Sequence, residues 1–258
     1  MGTEMSDLFS LAGRTALITG ASRGLGWSMA QAMAEAGAHV VLNGRYEESL
    51  AQKVEAIRDN GGSASFSVFD VADEARAVAA VGEISASVDG LDILVNNAGI
   101  VHRAELKDFE TADFARVLHT NLTACFYLAR AAHQGMIAKG WGRIINTASI
   151  LSVVGRPTVP AYAAAKAGLM GLTRSLAAEL GPHGITCNGI APGYFATELN
   201  EALVKDTEFN AFVCDRTPLG RWGDVKELGG AAVFLASDAA SYVNGHLLVV
   251  DGGMIETL

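Results

Sequence analysis

Short apolar runs alternate with longer mixed stretches along nearly the whole chain. The apolar runs lie at 15–19, 39–43, 64–70, 93–96, 143–147, 186–191 and 247–250. They have the length and side-chain content of strands. Between them, 24–36, 47–60, 74–88, 111–139, 161–180 and 226–237 read as helices. Strand–helix alternation predicts an α/β fold: a doubly wound parallel sheet of about seven strands, with right-handed crossovers and helices on both faces. No internal repeat or linker interrupts the pattern, so residues 1–258 are expected to form one domain. The alternation is loosest from Pro192 to Asp224, where the chain is longer between elements and more polar. A helical insertion around 193–224 is expected there, placed to cover a substrate.

Composition narrows the partners. Lys and Arg number 19 against 28 Asp and Glu, a net charge of −9. That excess of acid argues against a nucleic-acid or membrane-surface partner; basic residues that serve an anionic ligand must be placed locally. The 29 glycines suit tight turns between elements. Cys125, Cys187 and Cys214 have no C-x-x-C spacing and indicate neither a metal site nor a disulfide framework. Cys125 and Cys187 sit in apolar runs and read as core thiols. No run approaches membrane-span length, and the first ten residues lack the basic and apolar regions of a secretory signal. The expected compartment is the cytoplasm.

The first strand and first helix are joined by LITGASRGLG, with Gly20, Gly24 and Gly26 in G-x-x-x-G-x-G spacing. Glycines there allow a tight turn and a close backbone approach, and the helix N-terminus then faces a pyrophosphate. The second strand ends in Asn43-Gly44-Arg45, without the acidic residue that would bind a ribose 2′-hydroxyl. Arg45, together with Arg23 inside the glycine loop, suits a 2′-phosphate instead. The loop therefore predicts a dinucleotide site that prefers NADP(H), with NAD(H) possible.

A second chemical signal lies between Ser149 and Lys166. Tyr162 and Lys166 stand four residues apart in an apolar stretch that reads as a helix, so their side chains share one face. An unperturbed phenol holds its proton too tightly to exchange it readily at neutral pH, and a neighbouring ammonium favours the phenolate. Ser149 supplies a hydroxyl for the same substrate oxygen. The set suits proton transfer to or from a carbinol or carbonyl oxygen.

These motifs resemble those of the short-chain dehydrogenase/reductase family. They run in order as Thr19–Gly26 (TGASRGLG), Asp70-Val71, NNAG at 96–99, Asn121, Ser149, YAAAK at 162–166 and Pro192-Gly193, and they cover nearly the whole chain. The resemblance implies a Rossmann-type fold and assigns expected roles. Tyr162 would be the acid-base, Lys166 would lower its pKa and bind the nicotinamide ribose, and Ser149 would polarise the reacting oxygen. Asn121 would hold a water in a proton relay, unless it is a buried structural amide. Ser22 and Leu25 would belong to the cofactor loop with the three glycines and Arg23, and Asn43 and Arg45 would border the adenosine ribose. Asp70 and Val71 would meet the adenine, Asn97, Ala98 and Gly99 would pass beside the cofactor, and Pro192, Gly193, Phe195 and Thr197 would contact the nicotinamide amide and pyrophosphate. No metal is required.

The substrate is less sharply marked. Pro192–Asp206 and Arg216–Asp224 resemble the branch of the family that interconverts gluconate and 5-keto-gluconate. A sugar acid needs a cation for its carboxylate, and Arg103 is the preferred candidate, with Arg156 second; His102 would bond a hydroxyl. Two rivals remain: reduction of another carbonyl such as a 3-oxoacyl thioester, and a dinucleotide-binding regulator without turnover. The resemblance also implies a homotetramer in which the helices over 111–139 and 161–180 pair with their symmetry mates, and the C-terminal stretch makes a second interface.

Overall fold

The computed structural model describes residues 5–87 and 90–256. After a one-turn helix α1 (Met5–Leu8), strands and helices alternate as β1 (Thr15–Ile18), α2 (Gly24–Glu35), β2 (His39–Gly44), α3 (Glu47–Asp59), β3 (Ser63–Val68), α4 (Glu74–Ser87) and β4 (Ile93–Asn96). The second half continues with α5 (Thr111–Leu118), α6 (Ala124–Lys139), β5 (Gly142–Thr147), α7 (Pro160–Leu180), β6 (Ile185–Pro192), β7 (Phe195–Ala196), α8 (Glu201–Lys205), α9 (Thr207–Arg216), β8 (Gly223–Asp224), α10 (Gly229–Ala236) and β9 (Leu247–Val250). Seven strands form one parallel sheet in the order β3-β2-β1-β4-β5-β6-β9. The expected helix over 74–88 closes at Val88, which lies outside the described residues.

The sheet is covered on both faces because successive strand residues point to opposite sides. Ala16, Ile18, Val40, Leu42, Ile93 and Val95 pack with Met29, Met33, Leu50, Val54 and Leu235 on one side. Leu17, Val41, Leu94, Ile144 and Cys187 pack with Ala80, Ile84, Leu128, Met136 and Leu180 on the other. Each fully buried aliphatic side chain contributes about 1.5–3 kcal/mol, so these two layers hold the sheet flat against its helices. Helix ends follow local chemistry: Pro160 opens α7, where its missing N–H costs nothing, and Gly140 closes α6 at φ 64°, a left-handed position that glycine adopts freely.

Three elements depart from the expected pattern. The stretch over 111–139 is helical throughout, but a π turn at His119–Thr123 separates α5 from α6. The stretch over 226–237 opens as a tight 3-10 turn, Val225–Leu228, and becomes α-helical only from Gly229. The insertion holds two short helices as expected, but also a two-residue parallel ladder in which Phe195 pairs with Gly223 and Ala196 with Asp224.

Candidate active site

The C-terminal ends of β1 and β4 mark where the strand order reverses direction, the place where an open α/β sheet leaves a crevice. Two loops are locked together there. The Thr19 hydroxyl donates to the Val95 carbonyl (3.2 Å) and accepts from the backbone N–H groups of Asn97 (2.9 Å) and Ala98 (3.0 Å). The Asn97 amide donates to the carbonyls of Thr19 (2.9 Å) and Gly20 (3.2 Å). A Cβ on Gly26 would stand 2.4 Å from Asn97 Nδ2, and one on Gly20, at φ 64°, would stand 3.0 Å from Ala98 Cα. Glycine is needed at both because the loops touch. Gly24 differs: at φ 57° its open side faces Thr197, whose Cγ2 would lie 3.8 Å from an added Cβ. Thr197 thus places the start of the insertion over the glycine loop.

The first turn of α2 carries no acidic residue, and its N-cap, Arg23, makes no side-chain capping bond. Its leading N–H groups have no side-chain acceptor among the described residues, which fits a pyrophosphate. Arg23 is exposed. Arg45 is exposed and stands 4.0 Å from Asp70 across the ends of β2 and β3. Asp70 also accepts from the Ala72 N–H at 2.9 Å.

Asn43 takes a different place from the one expected. It is 1% exposed, and its amide is spent on protein: Oδ1 accepts from Gly20 N–H (3.4 Å), and Nδ2 donates to the carbonyls of Ser67 (3.3 Å) and Phe69 (3.0 Å). It ties the glycine loop to the end of β3 and does not face a ribose. The Phe195 side chain is likewise buried, against Gly223, which leaves only its backbone at the crevice. Val71 is buried and its carbonyl accepts from the Tyr127 hydroxyl. Leu25 packs on the core, and Ser22 sits half-buried at the turn. Pro192 closes β6, and Gly193 N–H donates to the Val250 carbonyl at 2.9 Å, with Asp251 too near for any Cβ.

Ser149 follows β5, and the Lys166 ammonium joins the end of that strand to α7, which also carries Tyr162. Ser149 is extended and caps the 3-10 turn Ile150–Ser152, its Oγ accepting from Leu151 N–H at 3.1 Å. Its own O–H remains to donate. The Ser152 hydroxyl donates to the Lys166 carbonyl (2.9 Å), which fastens this turn to α7. Lys166 is 3% exposed; its ammonium donates to the Thr147 carbonyl at 2.5 Å and lies 5.5 Å from the Tyr162 ring centroid. Tyr162 is half-buried, one helical turn before it. Asn121, inside the π turn, is fully buried and clamps Ile100 at both ends: Oδ1 accepts from Ile100 N–H and Nδ2 donates to the Ile100 carbonyl, each at 2.8 Å. The clamp uses one Nδ2 hydrogen and one Oδ1 lone pair of the amide, so one of each remains.

Above the crevice, Arg103 is exposed and makes no ion pair or hydrogen bond among the described residues. His102 is half-buried, its Nε2 3.4 Å from Asp113 and its ring edge-on to Phe109. Arg156 donates to the Tyr194 hydroxyl at 2.9 Å. Cys125 and Cys187 are core thiols as expected, pushed up to about 11 and about 12 by burial. A cavity of about 560 Å³ opens at the other end of the sheet, lined by Trp141, Arg143 and Thr186 among others. It holds none of these groups.

Known proteins share this arrangement. A family model described as "Enoyl-(Acyl carrier protein) reductase" matches residues 20–255. The gluconate 5-dehydrogenase of Gluconobacter oxydans is 48% identical, with 98% of each chain covered. The 5-keto-D-gluconate 5-reductase of Escherichia coli is 44% identical, covering 97% of this chain and 99% of that protein. A crystal structure of a gluconate 5-dehydrogenase from Burkholderia cenocepacia, in complex with NADP and tartrate, superposes with a TM-score of 0.95 at 49% identity, covering 99% of this chain and 100% of that one. The chain belongs to the short-chain dehydrogenase/reductase family.

As a short-chain dehydrogenase/reductase, it is an oxidoreductase built on a single Rossmann-like sheet. Sequence reasoning missed two residues of its site. Thr19 was read only as part of a motif, yet its hydroxyl joins the two cofactor-side loops. Tyr194, adjacent to the Pro-Gly turn, carries the hydrogen bond that fixes Arg156. No helix among the described residues is long and apolar enough to cross a membrane.

Proposed function

We propose that this short-chain dehydrogenase/reductase interconverts gluconate and 5-keto-gluconate with NADP(H), using Tyr162 as its acid-base. The observation that carries the chemistry is the buried Lys166 ammonium, 5.5 Å from the Tyr162 ring and bonded to the end of β5, which leads into Ser149. When bound, the nicotinamide supplies or accepts the hydride. The glycine loop and α2 N-terminus would hold the pyrophosphate, Arg23 and Arg45 the 2′-phosphate, and Asn97 to Gly99 with Thr197 the flanking walls. Val71 and Asp70 would border the adenine. Asn43 and Phe195 serve this site from behind, through the backbone they position.

In the reducing direction Tyr162 gives its phenolic proton to the substrate oxygen, while the Ser149 O–H donates to the same atom. The Leu151 N–H already occupies one Ser149 lone pair, which orients the hydroxyl as a donor. The Lys166 ammonium stabilises the phenolate left behind. In oxidation Tyr162 takes the proton from the carbinol. The Asn121 amide fixes the loop after the NNAG motif through Ile100, and its second N–H and second Oδ1 lone pair would hold a relay water.

A sugar acid suits the substrate end because Arg103 and Arg156 stand there without carboxylate partners, and because the gluconate-acting relatives match over nearly all their length. The insertion over 193–224 would cover that end. Three free cysteines suit a reducing compartment, and we place the enzyme in the cytoplasm. We further propose a homotetramer, for the reason given with the whole molecule below. The test of activity is oxidation of NADPH or NADH, followed by absorbance, with 5-keto-D-gluconate and a 3-oxoacyl thioester offered in parallel. Turnover of NADPH with the sugar acid alone is the expected result. Turnover with the thioester alone would sink the reading.

A further inference from the structure

The charge pairing of the arginines separates one of them from the rest. Of thirteen arginines in the chain, eight stand within ion-pair distance of a carboxylate: Arg14, Arg45, Arg58, Arg76, Arg116, Arg130, Arg143 and Arg221. Among the described residues, Arg23, Arg103, Arg156, Arg174 and Arg216 do not. Four of those five are exposed, where water and salt screen the charge. Arg156 alone is half-buried, in a chain whose net charge is −9.

It is also fixed. One guanidinium N–H donates to the Tyr194 hydroxyl at 2.9 Å, and the guanidinium carbon lies 4.8 Å from the Phe209 ring centroid and 5.8 Å from that of Tyr194. Tyr194 and Phe209 are in turn held edge-on to each other at 5.6 Å, and Tyr194 sits 5.5 Å from Trp222. The Trp222 indole donates to Asn210 at 2.8 Å. A guanidinium has five donor hydrogens in a fork matched to a carboxylate; a neutral phenol and two ring faces leave most of that fork open. The loop that carries it is positioned against the other cleft loop: Ala104 N–H donates to the Thr158 carbonyl at 3.1 Å, and Thr158 adopts φ 70°, a left-handed conformation that a β-branched residue rarely takes. Arg103 therefore lies next to the same bridge, exposed and unfixed.

We infer that Arg156 is the carboxylate-reading residue of the cleft, and that Tyr194 is its positioning residue: the clamp selects an acidic polyhydroxy substrate over a neutral one. The inference rests on the proposed sugar-acid activity and goes beyond it by transferring the carboxylate from exposed, unpartnered Arg103 to the preorganised guanidinium, where less conformational entropy is lost on binding. The clamp spans from the loop after Ser149 to the insertion, so the substrate carboxylate adds an anion where the two meet.

The test compares the ratio of kcat/KM for 5-keto-D-gluconate to that for the neutral ketose L-sorbose. Charge-assisted hydrogen bonds contribute about 10- to 100-fold in affinity. Arg156→Ala should lower the ratio by about that factor, through KM for the acid, with kcat nearly unchanged. Arg156→Lys should recover part of it, since charge returns without the fork. Tyr194→Phe keeps the aromatic packing and should raise KM for the acid only. Isothermal titration of D-gluconate into the NADP⁺-loaded enzyme should show the same loss in Arg156→Ala. A wild-type enzyme that uses 5-keto-D-gluconate, with a ratio that Arg156→Ala leaves intact, overturns the clamp and leaves the activity standing. The same holds if Arg103→Ala, rather than Arg156→Ala, takes the whole effect. A wild-type enzyme that prefers L-sorbose overturns the sugar-acid activity itself, and the clamp with it.

Discussion

Lys166 is 3% exposed, and its one protein acceptor among the described residues is the Thr147 carbonyl. Burying an ammonium on so little compensation is costly, and a fold keeps such a group where it has work to do. The work assigned here is to hold the phenolate of Tyr162. Replacing Tyr162 with Phe removes the proton and almost nothing else, because the ring and its contact with Lys166 remain. Turnover should fall by about 10²- to 10⁴-fold, while the dissociation constant for NADPH, read by fluorescence titration, should stay within about twofold. Residual turnover close to wild type would assign the proton to another group. A non-catalytic dinucleotide-binding regulator would show no turnover to lose.

At the scale of elements, the insertion is anchored where it returns to the main fold. Asp224 caps the 3-10 turn Val225–Leu228, accepting from Lys226 N–H, while Glu227 reaches back to Asp224 N–H at 2.7 Å, a reciprocal capping box. Glu227 also pairs with both terminal nitrogens of Arg221 at 2.7 Å. The Arg221 hydrogen bonds, then the Asp224 N–H, bring the Glu227 carboxyl down to about 2 from an ordinary 4.5. A depressed carboxyl binds its proton more tightly when unfolded, so it stabilises the fold above pH 4.5 and loses that contribution as pH falls through about 2. The melting temperature of Glu227→Gln should therefore sit below wild type at neutral pH, and the gap should narrow across that acid window. A gap that is constant with pH would show that the ion pair contributes nothing. None of this was visible in the sequence: RWGD read as the end of the polar insertion and KEL as the start of a helix over 226–237, because a capping box is recognised by the three-residue spacing of Asp224 and Glu227 only once the turn is located. The π turn at 119–123 was hidden for a similar reason. Its residues have ordinary helical character, and only the inward aim of Asn121 at Ile100 marks the extra residue in the ladder.

The whole molecule extends the same contrast. Strand–helix alternation gave the sheet, its parallel sense and its two buried faces, since those follow from patterning within each element. The glycine loop and the serine, tyrosine and lysine were legible because spacing along one turn or one helix brings them together. Asn43, Thr19 and the Arg156–Tyr194 bond were not, because each depends on a partner at least two dozen residues away or on which way an amide turns. The oligomer belongs with what only surfaces show. The outward face of α7 exposes Ala164, Ala167, Gly168, Gly171, Ser175 and Ala178 at helical spacing, and neighbouring α6 exposes Phe126. Small residues in a row let another helix approach closely, and an exposed Phe beside them adds apolar area for it to cover. At the far edge of the sheet β9 has no strand on its outer side among the described residues, an edge that natural proteins cover. Two such surfaces on one chain suit two symmetry axes, which is the ground for the proposed tetramer. Light scattering should give about four times the chain mass of 26.9 kDa at micromolar concentration. Gly171 supplies the decisive variant, because an added Cβ there meets nothing within 4 Å inside the chain. Gly171→Arg should leave the single chain folded, even gaining about 1 kcal/mol of helix propensity, yet break the α7 contact and lower the measured mass to that of a dimer or monomer. A tetramer that survives the substitution would place its interfaces elsewhere, and a monomeric wild type would remove them.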